Sequence, residues 1–416
     1  IRDTEDKEEL SSHIINLKTK DELAGLADTV NQMTQGLVQA AKASKELTIG
    51  KEVQKMFIPL DKDATGRTLS TGKQDIPGAE FFGYYEGAKG VSGDYFDYKK
   101  LDEAGEYYAI MKCDVAGKGV SASLIMVEVA TLFINAFRSW NIKTQGIHLD
   151  TLVYNINDML EERGFKGRFA AFTAAILNTK TGILHLCNAG DKLVHIYRAR
   201  EKGMVIKELP QAPAAGVFPS DLVMLKGGFT QVKEKLEKGD TLFLFTDGIE
   251  EAKRNFRDRN FKPIVCDEPG IPENGLHDTH QKGAGNEEFG IPRLEKLVDS
   301  VFNKGIFNLN KYHNPVPGEE LTFDFTQCEG TAEEAVLAMV AVEKVFRLNP
   351  DPTSTAEDRV TVDSKVDSFL KKHFQQYKNY FRDPKINEKQ PEYLQFPYLK
   401  EDEQYDDLTI LAIKKK

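Results

Sequence analysis

Four apolar runs in this 416-residue sequence each border an aspartate, and this pattern limits the fold more than any other feature. The runs are GVSGDYFDY with Asp94, YYAIMKCDVAGKG with Asp114, TLFLFTDGIEEA with Asp247 and QYDDLTILAI with Asp406. Burying a charged carboxylate without a partner is costly, so a buried strand that meets one needs a compensating group. A fold that brings these strand ends together has to offset the repulsion among four carboxylates.

A divalent cation is the simplest compensating group for clustered carboxylates. Oxygen donors suit Mg²⁺ or Mn²⁺ rather than zinc. The glycines beside the runs would let backbone and solvent approach the ions closely; they are Gly93, Gly117, Gly119 and Gly248. For any single aspartate, an ordinary turn residue after a strand is the competing interpretation. Four aspartates in the same local context favour a metal site.

The composition excludes several classes of protein. There are 55 basic and 65 acidic residues, which gives a net charge of -10 and argues against a broad nucleic-acid surface. The four cysteines form no CxxC pair, which indicates neither a disulfide framework nor a zinc knuckle and fits a reducing cytoplasm. The sequence contains no run of about 18 apolar residues, so it does not itself predict a membrane span. Because the sequence starts with Ile1, we expect an excised fragment, and a span upstream of it stays open.

The first sixty residues differ from the rest. Apolar or small residues step by three and four from Leu23 to Leu47, which predicts a helix that pairs with another helix as a parallel dimer. A single amphipathic helix packed on its own domain is the alternative. The phase of the pattern breaks after Leu47 and restarts at Ile49, and Pro59 should end the helix.

From about residue 80 the pattern predicts strands grouped around two helices, at Ser121–Trp140 and Asp150–Arg163. Strands and helices without strict alternation favour an α+β fold. We predict two parts of the chain. Residues 1–60 form a linker helix, and residues 61–416 form one domain with insertions at about 253–286 and 305–400. The first insertion is rich in Gly, Pro and polar residues and predicts a long loop, whereas the second contains helical stretches.

The motifs SGDYFD, CDVAGKGVSASL, LFTDGIEEA and YDDLTILAI, in this order, resemble the SpoIIE/RsbU-type serine phosphatases of the bacterial PPM (PP2C-like) family. The strings CNAG and EFG also match, and the resemblance covers about residues 50–300 and the last dozen. It implies a central β-sandwich flanked by helices. Two departures concern the rim of the site: Asp191 stands where the family often has His, and AAG at 214–216 replaces PLG.

The resemblance implies a site with two Mn²⁺ or Mg²⁺ ions. Asp114 would bridge the ions, the carbonyl of Val115 and Asp94 would bind the second ion, and Asp247 and Asp406 would bind the first. The acids Asp97 and Asp407 would then orient metal waters from outside the ligand set. A water held by the ions would attack the phosphoryl group in line, so no side-chain nucleophile would be needed.

The resemblance also implies a signalling role. TKDELAGLADTVNQMTQGL resembles the second half of a HAMP module, which joins a membrane helix to a cytoplasmic output domain. The two helices after CDVAGKG act in the family as a switch that couples partner or dimer state to metal binding. The expected substrate is a phosphoserine or phosphothreonine of an anti-sigma-factor antagonist with a STAS domain. The expected location is the cytoplasmic face of a bacterial inner membrane, as part of a receptor.

Other interpretations of these motifs come from different classes of protein and site. A diguanylate cyclase would explain SGDYF but neither CDVAGKG nor YDDLT, and a histidine kinase would need a phosphoacceptor histidine that the N-terminal helix lacks. The pair His277 and His280 has metal-ligand spacing, but a polar loop is its simpler setting. A catalytically inactive phosphatase fold, acting as a scaffold or binding switch, is the alternative from a different class.

Overall fold

The computed structural model describes residues 15–16, 22–88, 90–138, 140–165, 167–256, 286–309, 320–350, 362–380, 399–402, 404 and 406–416. Its helices are α1 Glu22–Lys55, α2 Val120–Arg138, α3 Ile142–Gln145, α4 Leu149–Arg163, α5 Ser220–Leu225, α6 Ile291–Phe302, α7 Ala332–Arg347, α8 Ser364–His373 and α9 Tyr377–Tyr380. Its strands are β1 Thr71–Ile76, β2 Ala79–Glu86, β3 Tyr95–Lys100, β4 Tyr107–Val115, β5 Ala170–Asn178, β6 Ile183–Ala189, β7 Leu193–Arg198, β8 Gly203–Glu208, β9 Val232–Lys235, β10 Thr241–Phe245, β11 Lys253–Asn255, β12 Asn286–Glu288, β13 Ile306–Leu309, β14 Leu321–Asp324, β15 Leu348–Pro350, β16 Leu399–Glu401 and β17 Leu408–Lys415.

Two antiparallel sheets form the centre of the fold. One has six strands in the order β1-β2-β17-β10-β7-β8, and the other has five in the order β3-β4-β5-β6-β9. The ring of Phe81 on β2 lies 4.8 Å from that of Tyr98 on β3 and 5.2 Å from that of Tyr108 on β4, so aromatic contacts join the sheets. The predicted α+β architecture, a β-sandwich flanked by helices, is confirmed.

The main hydrophobic core fills the space between the sheets and continues to α2 and α4, which cover the five-stranded sheet. This explains why β4 is almost entirely apolar, since one of its faces meets the other sheet and the opposite face meets helices. The helix α2 is long and apolar enough to cross a membrane by composition, and among the described residues it is the one helix that is. Its buried residues, which include Met126, Val129 and Phe133, belong to this core.

A second core lies on the outer face of the six-stranded sheet, where α6, α7 and α8 pack. Helix α7 starts at a capping box formed by Thr331 and Glu334 and has all its residues buried except two near its start. The described part of the predicted 305–400 insertion thus forms a structural layer that covers this sheet.

The N-terminal helix α1 runs from Glu22 to Lys55 without interruption at the phase break after Leu47. It ends four residues before Pro59, close to the predicted stop. The described residues do not test its assignment to a HAMP module or the domain boundary at residue 60, and both stay predictions.

Most of the predicted loop at 253–286, with His277, His280 and Cys266, lies outside the described residues. The two ends of this loop meet, because β11 pairs with β12 in an antiparallel register.

Candidate active site

Each of the two sheets contributes a pair of the predicted aspartates. In the five-stranded sheet, Tyr95 pairs with Cys113, so Asp94, just before β3, lies beside Asp114 near the end of β4. In the six-stranded sheet, β10 and β17 are antiparallel neighbours. Asp247 follows the end of β10 and Asp406 precedes the start of β17, so these two residues also share one edge. The antiparallel register therefore brings the predicted residues together in pairs.

Thr246 connects the two pairs. Its hydroxyl donates a hydrogen bond of 2.7 Å to Asp94 Oδ2, and its backbone N–H donates to the carbonyl of Thr409 on β17. Since Thr246 directly precedes Asp247, this contact fixes Asp94 of one sheet against the acidic edge of the other.

Burial and mutual repulsion raise the pKa values of three of these carboxyl groups, those of Asp94, Asp114 and Asp247. Burial, followed by the charges of Asp114 and Asp407, holds the pKa of Asp94 well above its usual range. Burial and then Asp247 raise the pKa of Asp114 to about 7. Burial and then Asp406 raise the pKa of Asp247 to about 6. Each of these three predicted ligands therefore has its pKa raised by the charge of another predicted ligand.

Two lysines reduce the negative charge of this region. Lys118, from the GKG of the CDVAGKG motif, lies 3.0 Å from Asp406 Oδ2. The charge of Lys112 lowers the pKa values of Asp114 and Asp247, which opposes the effect of burial. Sequence reasoning missed both lysines. Lys112 could have been found, because it interrupts the apolar run two residues before Asp114 and so lies on the same face of the strand.

The donor set fits a hard divalent cation by its chemistry, because buried carboxylates that repel one another bind such ions well. The ligands are not arranged around an ion, however: among the described residues, no group of three or more His, Cys, Asp or Glu side chains is placed to hold one. Asp94 accepts from Thr246, and Asp406 accepts from Lys118 and from the N–H of Asp407. Side-chain rotation would release these oxygens for an ion.

This repulsion predicts how a substitution changes stability in the absence of ions. A carboxyl group whose pKa is raised on folding destabilises the folded state above its unfolded pKa, and that penalty grows as pH rises toward the folded pKa. In a chelator, Asp114→Asn should therefore be close to wild type in melting temperature near pH 4, and it should melt several degrees above wild type near pH 7.5. Calorimetry at both pH values measures the difference.

Saturating Mn²⁺ should reverse that order, since the wild type gains a ligand–ion interaction that the variant lacks. A variant that melts below the wild type at pH 7.5 in chelator would contradict the proposed charge repulsion.

The backbone around Val115 is tightly packed. A Cβ placed on Gly93 would lie 2.7 Å from the carbonyl oxygen of Val115, and the N–H of Val115 donates to the Gly93 carbonyl over 3.3 Å. A glycine is therefore required beside the carbonyl that is predicted to bind the second ion. That ligand role stays a prediction.

Asp407 and Asp97 have different surroundings, although the sequence predicted the same orienting role for both. Asp407 accepts hydrogen bonds from the N–H groups of Ala88 (2.7 Å) and Gly93 (3.1 Å), and it thereby fixes the loop that precedes Asp94. Asp97 is bound by the Tyr95 hydroxyl (2.9 Å), the Tyr98 N–H (2.7 Å) and Lys99 (3.2 Å). These contacts of Asp97 include none of the other carboxylates and give its predicted role no support.

The same loop is joined to the end of α1. The buried amide of Gln54 accepts a hydrogen bond of 2.9 Å from the N–H of Ser92 and donates one to its carbonyl. The hydroxyl of Ser92 accepts from the N–H of Asp94 at 2.9 Å. The N-terminal helix is therefore connected to a predicted metal ligand through one intervening residue, a connection that the sequence pattern did not reveal.

A cavity of about 250 Å³ opens beside the carboxylates. Its lining includes Lys112, Asp114, Asp191, His195, Asp247 and Glu250. Its size suits a phosphate group and the side chain that bears it.

Comparison with known proteins gives three findings. The family model for stage II sporulation protein E (SpoIIE) matches residues 104–265, a range that contains Asp114 and Asp247. The phosphoserine phosphatase RsbU of Bacillus subtilis (strain 168) is 25% identical over 229 residues, which are 55% of this chain and 60% of RsbU. The chain thus spans less than two thirds of the length of this relative.

Among solved structures, the SiaA-PP2C domain of Pseudomonas aeruginosa is 14% identical with a TM-score of 0.45, covering 90% of this chain and 98% of that one. The RsbU and RsbW domains of Rv1364c from Mycobacterium tuberculosis are 14% identical with a TM-score of 0.42, covering 82% and 62%. The family match and the identity with RsbU confirm the resemblance to the SpoIIE/RsbU-type phosphatases that the four aspartate motifs predicted.

Proposed function

We propose that this chain is a metal-dependent protein serine/threonine phosphatase. The observation that carries the proposal is that the strand ends of two sheets bring Asp94 beside Asp114 and Asp247 beside Asp406, with Asp114 and Asp247 lining one cavity. Burial and mutual repulsion raise the pKa values of Asp94, Asp114 and Asp247 there. Such an arrangement is unfavourable for folding alone, so a functional reason is expected.

Two divalent ions, when bound, would supply Lewis acidity and a reactive water. The chain's own residues prepare the site for this chemistry. Thr246 holds Asp94 toward the opposite sheet, and Asp407 fixes the loop before it. Asp114 and Asp247 line the cavity into which the phosphoryl group would enter.

A cysteine-based phosphatase mechanism has no support in the described residues. Such enzymes need a thiol with a lowered pKa. Burial instead raises the pKa of Cys113 well above its usual range, and it raises those of Cys187 and Cys328 to about 12.

Hydrolysis of para-nitrophenyl phosphate and of a phosphoserine protein, with Mn²⁺, with Mg²⁺ and in chelator, tests the proposal. We expect turnover with a divalent ion and none in chelator. The alternative, an inactive scaffold, is favoured by the observation that the carboxylates are not gathered around an ion. Ion binding by calorimetry without turnover on either substrate would support the scaffold and contradict the phosphatase.

We further propose that the substrate is a phosphorylated STAS-type antagonist of an anti-sigma factor. The relation to RsbU, whose name states phosphoserine specificity, supports this class of substrate. Release of phosphate from phosphoserine STAS domains should exceed release from a phosphotyrosine peptide of equal concentration. Equal rates on both would argue against recognition of a protein serine site.

A parallel dimer through α1 completes the proposal, with the chain as the cytoplasmic output domain of a membrane receptor. The predicted heptad positions Leu23, Leu26 and Met33 are 56%, 59% and 64% exposed in the single chain, as expected for a seam that needs a partner. Ala27, Thr34 and Val38 are buried instead, so the exposed row is a separate face of the helix.

This dimer predicts a change in mass on truncation. In sedimentation at micromolar concentration, residues 1–416 should be a dimer, and a chain that starts at residue 48 should be a monomer, because it loses the seam. The shorter chain keeps Gln54 and its contact with Ser92, so its domain should stay folded. A Leu26→Lys, Met33→Lys variant of the full chain is the matched control and should also be monomeric. Monomers of the unmodified chain would contradict the proposed dimer.

A further inference from the structure

We propose that Lys112 binds the phosphoryl oxygens of the substrate and that Asp191 positions it for this contact. The inference rests on the proposed phosphatase function and adds a residue to it that binds substrate rather than the ions. It also gives a role to Asp191, which departs from the family pattern.

The position of Lys112 directs it toward the same space as the predicted metal ligands. Lys112 and Asp114 are two residues apart on β4, and alternate residues of a strand lie on one face. Both line the 250 Å³ cavity, together with Asp247. An anion in this cavity would lie within reach of the lysine and of the carboxylates.

The surroundings of Lys112 hold its ammonium group in one place. The residue is 6% exposed, and its Nζ lies 2.8 Å from Asp191 Oδ2. The same oxygen of Asp191 accepts a hydrogen bond of 2.6 Å from the hydroxyl of Thr173, which pairs with Lys112 across β4 and β5. An ammonium has three N–H donors, and the ion pair engages one, which leaves donors for a ligand.

Charge balance explains why a cation belongs here. The acidic residues that line the cavity are Asp114, Asp191, Asp247 and Glu250, which would repel a phosphate dianion. The other lysine in the described lining, Lys192, is paired with Glu208 at 3.4 Å through an exposed side chain. Lys112 is the buried cation of this cavity, and a buried charge attracts a phosphate more strongly than an exposed one.

A simpler role for Lys112 would be to neutralise the carboxylates alone. The two roles predict different results for Lys112→Gln. If Lys112 binds phosphate, competitive inhibition by inorganic phosphate should weaken about 10- to 100-fold, the loss expected for a charge-assisted hydrogen bond. The affinity for Mn²⁺ should stay the same or increase, since a positive charge near the ligands is removed.

The experiment measures the inhibition constant of inorganic phosphate, the KM for a phosphoserine peptide and the dissociation constant of Mn²⁺. Lys112→Gln leaves the partly buried Asp191 without its cation, so the double variant Lys112→Gln, Asp191→Asn is measured beside it. The matched control is Lys344→Gln, which loses an equally buried lysine that pairs with Glu86 at 3.1 Å outside the cavity. This control should keep the wild-type inhibition constant.

Weakened phosphate inhibition and raised KM in both Lys112 variants, with Mn²⁺ affinity retained, support the inference. Unchanged phosphate inhibition, or an equal loss in Lys344→Gln, overturns it. If the wild type shows no turnover, the proposed function fails. Calorimetric titration of inorganic phosphate into the Mg²⁺-loaded wild type and Lys112→Gln then tests Lys112 separately, and equal affinities overturn the inference.

Discussion

Replacing Asp247 by asparagine should lower Mn²⁺-dependent turnover by about 10³-fold or more, while the chain stays folded. Asp247 interacts electrostatically with predicted ligands from both sheets. Its charge raises the pKa of Asp114, and the charge of Asp406 raises the pKa of Asp247. Asparagine keeps the size of the side chain but removes the charge that would bind an ion. The loss should therefore appear in turnover and in Mn²⁺ affinity, measured by steady-state assay and by calorimetry.

Asp299→Asn is the matched control for this prediction. Burial raises the pKa of Asp299 too, but the residue lies on α6 and accepts a hydrogen bond of 2.9 Å from the N–H of Met204, away from the site. We expect turnover within about twofold of wild type, as for a substitution away from the reacting groups. If Asp247→Asn retained turnover within about tenfold of wild type, the assignment of the carboxylates as ion ligands would be wrong.

The strands and the pairing of the acids could be predicted from sequence because both depend on local patterns. The apolar run of β4 and Asp114 near its end can be recognised from a few neighbouring residues of the sequence. The antiparallel pairing of β3 with β4 then brings Asp94 next to Asp114. The turn of the β5–β6 hairpin is local in the same way, because the sequence NTKTG ends in Gly182, which lies in the left-handed region. The grouping of strands and helices predicted the α+β class, and the resemblance of the four motifs implied the β-sandwich.

Contacts between distant segments could not be predicted in this way. Gln54 and Ser92 are 38 residues apart, and the sequence of neither indicates that their amide and backbone groups would meet. The ion pair of Lys112 and Asp191 likewise depends on the register of β4, β5 and the segment after β6. Helix α6, which lies between the two predicted insertions, was not predicted. The structural role of α7 was missed because a segment interpreted as an insertion was not expected to cover a sheet.

The predicted orienting role of Asp97 rested on its place in the same motif as Asp94, and it stays a prediction. Asp94 comes just before β3, whereas Asp97 lies within that strand. Asp97 is bound to Tyr95 and Lys99, its neighbours two positions away on its own face.

Substituting Gly248 by alanine is the second change for which we expect a large effect. A Cβ at this position would lie 1.9 Å from the carbonyl oxygen of Asp407 and 3.3 Å from that of Asp406. Because the obstructing atoms are backbone, the segment that precedes β17 would have to move away from the end of β10. That movement would separate Asp247 from Asp406, the two predicted ligands of the first ion.

We therefore expect Gly248→Ala to lower turnover by about 10²-fold or more and to destabilise the fold by about 1–3 kcal/mol, as overpacking does. Steady-state assays and denaturant unfolding measure the two effects. Gly203→Ala is the matched control, because a Cβ there would meet Asp299 at an ordinary 3.9 Å. Turnover loss in Gly248→Ala should persist at temperatures where the variant is fully folded, because the substitution acts on ligand placement. If activity recovered completely under those conditions, the close approach of β10 and the Asp406 segment would matter for stability alone.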